Sequence, residues 1–242
     1  MRSRLCLILC ALLAAPTLVL AQAASAPQPA AEPVRQLVVY VEPYYAAGDT
    51  FAAAPKVAVD PQYDALLAST SAADIRKARD TIAAKPDLVA PQTMMVLAIR
   101  LYDVGLRDDA VFWYYAARDR FLTMEAVLDM RSLRLVRVAQ AVDSFIEALG
   151  ASMDGYAMCD VARHQEREDR AIAWVAAHPY KVLGYGDLPA QSEDRNAALA
   201  DAINRLRNMS RHNQELLAKP ELQAQLADAR RKSQADTRFC WK

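Results

Sequence analysis

The sequence predicts an all-α protein, a single-domain helical bundle or set of stacked helical hairpins with an N-terminal extended arm. Three observations predict it. Glycine is rare, at 6 of 242 residues, while alanine, the best helix former, recurs along the whole chain. Apolar residues make up 54%, enough for one sizeable core. From residue 62 onward those residues recur at spacings of three and four, the period of a helix packed on one face. The 29 basic and 29 acidic residues cancel, which removes any whole-chain argument for nucleic-acid binding.

Met1 to Ala23 reads as a secretory signal peptide. Arg2 and Arg4 start it, Leu5 to Leu20 forms an apolar run, and Ala21-Gln22-Ala23 supplies the small residues that signal peptidase needs. Cleavage is expected before Ala24. A retained membrane anchor is the competing reading, but the run is short for a span. Lipid attachment needs a cysteine at the end of the run, whereas Cys6 and Cys10 lie inside it. Loss of Arg2 and Arg4 leaves 27 basic residues against 29 acidic ones, a net charge of −2. No later window approaches a membrane span, so no membrane insertion is expected after cleavage. The expected location is a bacterial periplasm, with secretion beyond it as the alternative.

Cleavage leaves two cysteines, Cys159 and Cys240, in an oxidising compartment, and they are expected to form one disulfide. For a loop of this length the chain-entropy model gives roughly 4–5 kcal/mol of stabilisation.

Residues 24–33 form an Ala/Pro/Gln linker expected to be disordered. Residues 34–61 are an extended arm and loop. Val34 to Val41 is rich in β-branched residues and is expected to lie on the helices rather than join a sheet. Residues 62–242 form the helical domain. Ser71 caps a helix ending near Ala84, before Lys85-Pro86. Pro91 opens the next at the first helical position, and Gly105 ends it. Asp108 is expected to cap a helix from Asp109 to about Phe121. Ser132 to Leu149 forms another, closed by Gly150. A long helix is expected from Asp154 or Gly155 to Ala177. Tyr180 to Pro189 is loop. A helix opened by Ser192-Glu193-Asp194 and running to Leu217, and one from Glu221 to Asp236, complete the chain, split at Lys219-Pro220.

Three segments are candidates for function. Leu97 to Arg118 resembles one tetratricopeptide-like hairpin, with small and large residues where that repeat packs its two helices, but no second copy follows. Within it, Phe112-Trp113-Tyr114-Tyr115 points around the whole circumference of a helix. Either neighbours surround that helix, or Phe112, Trp113 and Tyr115 expose rings suited to anchoring a partner, with Arg118 and Arg120 as a polar rim. The third segment carries His164 and Glu168, one turn apart, a spacing that suits an acid/base pair or two metal ligands. Two ligands do not complete a metal site, and no hydrolase or nucleotide-binding motif appears. No cofactor is expected. The basic spots Arg205, Arg207, Arg211 and Arg230 to Lys232 are interleaved with acids and read as solvated surface.

AVFWYYAARDR, GYAMCDVARHQ and the terminal RFCW together resemble an uncharacterised group of secreted bacterial helical proteins. The resemblance implies no site residue. The expectation is an exported, non-enzymatic protein that binds another envelope or periplasmic protein through its aromatic hairpin. A toxin-immunity protein, an enzyme or metal binder centred on His164 and Glu168 with the Tyr180–Pro189 loop as a lid, and a structural or stress-related envelope protein without a defined ligand are the alternatives.

Overall fold

In the computed structural model the described residues are 31–50 and 52–241. The expected signal peptide and the linker up to residue 30 lie outside them. The arm alternates as a strand does, with Leu37, Val39 and Val41 buried and Val38 and Tyr40 exposed. It ends in β1 (Tyr40–Val41), which pairs antiparallel with β2 (Tyr45–Ala46), and β2 pairs with β3 (Lys56–Val57). The arm and loop thus contribute a small three-stranded sheet, where none was expected. The sequence offers the reason: Val38 to Tyr45 is β-prone on both sides of the turn at Glu42-Pro43.

Nine α-helices follow among the described residues. After the single turn α1 (Asp64–Leu67), α2 (Ala72–Ala84) starts at Ser71, whose side chain accepts from the Ala73 N–H at 3.2 Å. α3 (Pro91–Asp103) is buried at every residue from Pro91 to Tyr102. Gly105 turns the chain at φ +82°, a conformation open to glycine. α4 (Arg107–Val127) then packs back on α3 as a helical hairpin. α5 (Val136–Ala157), α6 (Val161–Ala177) and α7 (Arg195–Leu217) surround it. α8 (Pro220–Lys232) and α9 (Ala235–Phe239) close the chain. No helix of the described residues is long and apolar enough to cross a membrane.

Several boundaries differ from the sequence reading, each for a physical reason. Asp108 lies in the first turn of α4 rather than at its cap, and the helix continues to Val127 because its last turns remain buried. Gly150 does not end α5. It sits in mid-helix where a Cβ would lie 3.5 Å from the Tyr114 hydroxyl, so its smallness serves close packing. Gly155 does the same against Phe239, whose ring a Cβ would meet at 2.5 Å. The break comes later, at Met158-Cys159, and Asp160 caps α6 by accepting from the Arg163 N–H at 3.1 Å.

The arm is fixed to α3. Tyr102 donates to the Val34 carbonyl at 3.0 Å, and the Leu37 N–H donates to Asp103 at 2.9 Å. The C-terminal end is fixed to three elements at once. Cys159 and Cys240 are disulfide-bonded with their Cα atoms 5.6 Å apart. Arg107 donates to the carbonyls of Phe239 and Trp241 at 3.1 and 2.5 Å. The Val34 N–H donates to the Arg238 carbonyl at 2.8 Å.

Candidate functional site

The aromatic run of α4 is core. Phe112, Trp113, Tyr114 and Tyr115 are each at most 5% exposed. The alternative in which neighbours surround the helix is the one realised, because α3, α5, α6 and α7 each cover one side of α4. Phe112, Trp113 and Trp174 of α6 form an edge-to-face cluster with centroids 5.2 to 6.2 Å apart. Phe112, Trp113 and Tyr115 are therefore not exposed anchors for a partner, and the expectation that they were is corrected here.

Tyr115, His164, Glu168 and Arg118 do come together, but inside the protein. The Tyr115 hydroxyl lies 3.0 Å from Asp154 Oδ1, to which it donates, and 3.2 Å from His164 Nδ1. Arg118 donates to Asp119 at 3.1 Å and reaches Glu168 at 3.5 Å. Its guanidinium lies over the Tyr115 ring, 4.7 Å from the centroid. Burial dominates the titration of this network. It lowers His164 from its ordinary value, favouring the neutral ring, and raises Tyr115. It also pushes Asp119 up to about 6, against the attraction of Arg118.

This arrangement cross-links α4, α5 and α6. His164 and Glu168 are each under 8% exposed. None of the five surface hollows described for the molecule is lined by either of them. Among the described residues no cluster of three or more His, Cys, Asp or Glu side chains is placed to hold a metal ion. The pair is buried between helices, where His164 meets Tyr115 and Glu168 meets Arg118. The expected lid is pinned as well. Arg195 donates to the carbonyls of Leu183, Tyr185 and Leu188 at 2.6 to 2.9 Å.

Arg120, read as a rim residue, is fully buried. It donates to the carbonyls of Pro86, Val89 and His178 at 2.7 to 3.0 Å, joining the start of α3 to the end of α6. Burial lowers it to about 10, so the guanidinium is still charged at neutral pH.

The open chemistry lies on the outer side of α6. Two hollows flank its ridge. One, of about 300 Å³, is lined by Asp108, Arg163, Glu166, Arg167 and Arg170. The other, of about 390 Å³, is lined by Asp169, Ile172, Ala173, Arg207 and Arg211. Arg163, Arg167 and Arg170 recur on one face of α6, and Arg207 and Arg211 are one turn apart on α7. In the first hollow Arg167 is paired with Asp108. Arg170, Arg207 and Arg211 have no carboxylate within ion-pair distance among the described residues. Arg170 lies 4.2 Å from the Phe112 ring centroid, and Arg207 and Arg211 bond to Asn204 and Asn208 of their own helix. Asp169 is engaged by Ser210 at 2.6 Å and Gln214 at 3.1 Å. Acids counted as interleaved along the sequence are not paired with these arginines in space. The signal that could have found the face was the four-residue spacing of arginine on two adjacent helices.

An uncharacterized protein of Haemophilus influenzae is 31% identical to the chain over 210 residues, covering 87% of this chain and 81% of that protein. No family model matches the chain. No solved structure matches it.

Proposed function

We propose, from the premise that the chain belongs to the family of the uncharacterized Haemophilus influenzae protein, that it is an exported periplasmic protein that binds another protein. Its binding surface is the outer face of α6 and α7. Export is supported by the signal-like start of the sequence and by the Cys159–Cys240 disulfide, a bond that persists in oxidising compartments. The aromatic hairpin acts as the rigid support of that face, since Phe112 underlies Arg170.

The observation that carries this reading is the set of arginines Arg170, Arg207 and Arg211, exposed and without acidic partners beside hollows. Unpaired surface cations steer an oppositely charged partner and suppress wrong ones. The second hollow adds a specific shape. Ile172 and Ala173 line it beside Arg207 and Arg211, together with Asp169, whose carboxylate is engaged by Ser210 and Gln214. That combination fits an apolar side chain flanked by carboxylates, so the partner is an envelope protein presenting an acidic surface around an apolar residue. Arginine suits this role because its planar fork pairs with carboxylates in two-point contacts.

The test is capture from periplasmic extract by tagged mature protein, beside an Arg170→Glu/Arg207→Glu/Arg211→Glu variant. All three side chains are exposed, so the variant should keep the wild-type circular dichroism. The reading expects one acidic protein retained by wild type, weakened by salt, and lost with the variant. Equal retention by both proteins, or no retention by either, would overturn it.

A further inference from the structure

We propose that the Cys159–Cys240 disulfide is a thiol-exchange site whose opening releases the C-terminal arm formed by α8 and α9. The disulfide is at the surface, with Cys159 exposed and Cys240 half-buried. Arg230 of α8 sits against it, its Nη2 atom 3.0 Å from Cys240 Sγ and 3.8 Å from Cys159 Sγ. Asp236 holds that guanidinium at 2.6 Å. Its carboxylate lies 3.6 Å from Cys240 Sγ and opposes negative charge there. The guanidinium is closer and donates a hydrogen bond, so it prevails as the stabiliser of a thiolate on Cys240.

This asymmetry fixes the direction of exchange, because a disulfide breaks most readily toward the better-stabilised leaving thiolate. The thiolate of an incoming dithiol attacks the exposed Cys159 Sγ. A mixed disulfide forms at Cys159 as the bond to Cys240 breaks, and Cys240 leaves as a thiolate paired with Arg230. The second thiol of the reagent loses its proton and attacks the reagent's own sulfur in the mixed disulfide. Cys159 leaves as a thiolate and takes up a proton. The reagent ends as a disulfide, oxidised by two electrons, and the protein as two reduced cysteines.

The structure gives the opening a consequence. No residue of α8 is buried, and the helix packs chiefly on its chain neighbours α7 and α9. Beneath it lies an incompletely filled hollow of about 370 Å³, with Met158, Val161, Leu217 and Leu226 among its walls. Apart from the disulfide, the arm is held by Phe239 against Gly155, by the carbonyls that Arg107 grips, by the Val34 N–H on the Arg238 carbonyl, by Arg35 over Trp241 and by Arg230, which donates to the Gly155 carbonyl at 3.4 Å. Loss of the cross-link leaves only non-covalent contacts to hold some twenty residues over the hollow walled by Met158, Val161 and Leu217.

The oxidised full-length mature protein is treated with glutathione under mild conditions, and the mixed disulfide is located by peptide mass spectrometry. Reduction by dithiothreitol is timed for wild type, Arg230→Met and Arg230→Lys, and hydrogen exchange is compared before and after reduction. The expected results are an adduct on Cys159, reduction about tenfold slower in Arg230→Met but near wild type in Arg230→Lys, and faster exchange confined to residues 220–241. An adduct on Cys240 would overturn the proposal from wild type alone. Equal rates for Arg230→Met and wild type would remove the role of Arg230. Unchanged exchange after reduction would remove the release of the arm.

Discussion

Replacing Arg120 with Met tests how the core is held together. The guanidinium is fully buried and donates to three carbonyls, at 2.8 Å to Pro86, 2.7 Å to Val89 and 3.0 Å to His178. The Pro86 carbonyl keeps a second donor, the Val89 N–H at 3.1 Å. The Val89 and His178 carbonyls have no other donor among the described hydrogen bonds. An orphaned buried acceptor costs about 1–3 kcal/mol; the Val89 carbonyl is buried and the His178 carbonyl half-buried, so the two cost about 2–5 kcal/mol together. Removing the charge relieves its own desolvation, which already lowers Arg120 to about 10. Methionine fills much of the volume between Trp174 and Tyr180, over which the guanidinium lies. The net loss is therefore toward the lower end, about 2–4 kcal/mol. Urea unfolding followed by far-ultraviolet circular dichroism at neutral pH reads it as a lower midpoint at constant slope. A loss below about 1 kcal/mol, or a gain, would refute the claim that these bonds join α3 to α6.

Two further substitutions address the polar network and the C-terminal clasp. Asp119 is raised from the usual carboxylate value to about 6, so its contribution to stability is fullest below its unfolded value and is lost as pH rises through 6. Asp119→Asn removes that dependence, and its stability deficit relative to wild type should shrink by about 1–2 kcal/mol between about pH 5 and pH 8. A deficit that is flat or grows over that range would contradict the burial account of this group. Gly155→Val places a side chain where even a Cβ would meet the Phe239 ring at 2.5 Å. It should displace α9 and raise protease sensitivity at Arg230, Arg231 and Lys232, and an unchanged digestion pattern would show that the ring can move aside.

What was legible in the sequence was local chemistry. Ser71, Pro91 and Gly105 signal helix ends through capping, a fixed φ and a left-handed turn, and each does so in the structure. The cysteine count led to the disulfide without geometry. Gly150, which reads as a helix end, and Gly155, which reads as a helix start, misled because a glycine at a helix boundary and one that admits a neighbouring side chain look alike in sequence. The aromatic run left open whether α4 was covered on all sides, which only the placement of α5, α6 and α7 decides. His164 and Glu168 were seen to share a face, but their partners Tyr115 and Arg118 come from another helix. The arginine face was missed for the same reason. Among the described residues, acids near Arg207 and Arg211 in sequence form no ion pair with them, and the two arginines bond instead to Asn204 and Asn208.

The proposed binding role rests on Arg170, Arg207 and Arg211 rather than on the aromatic helix, and salt titration of the captured complex tests this most directly. The dissociation constant of the captured protein should rise steeply with salt for wild type. The Arg170→Glu/Arg207→Glu/Arg211→Glu variant should bind too weakly to measure. A salt-independent constant, or the same constant for both proteins, would contradict the account and move the site off this face.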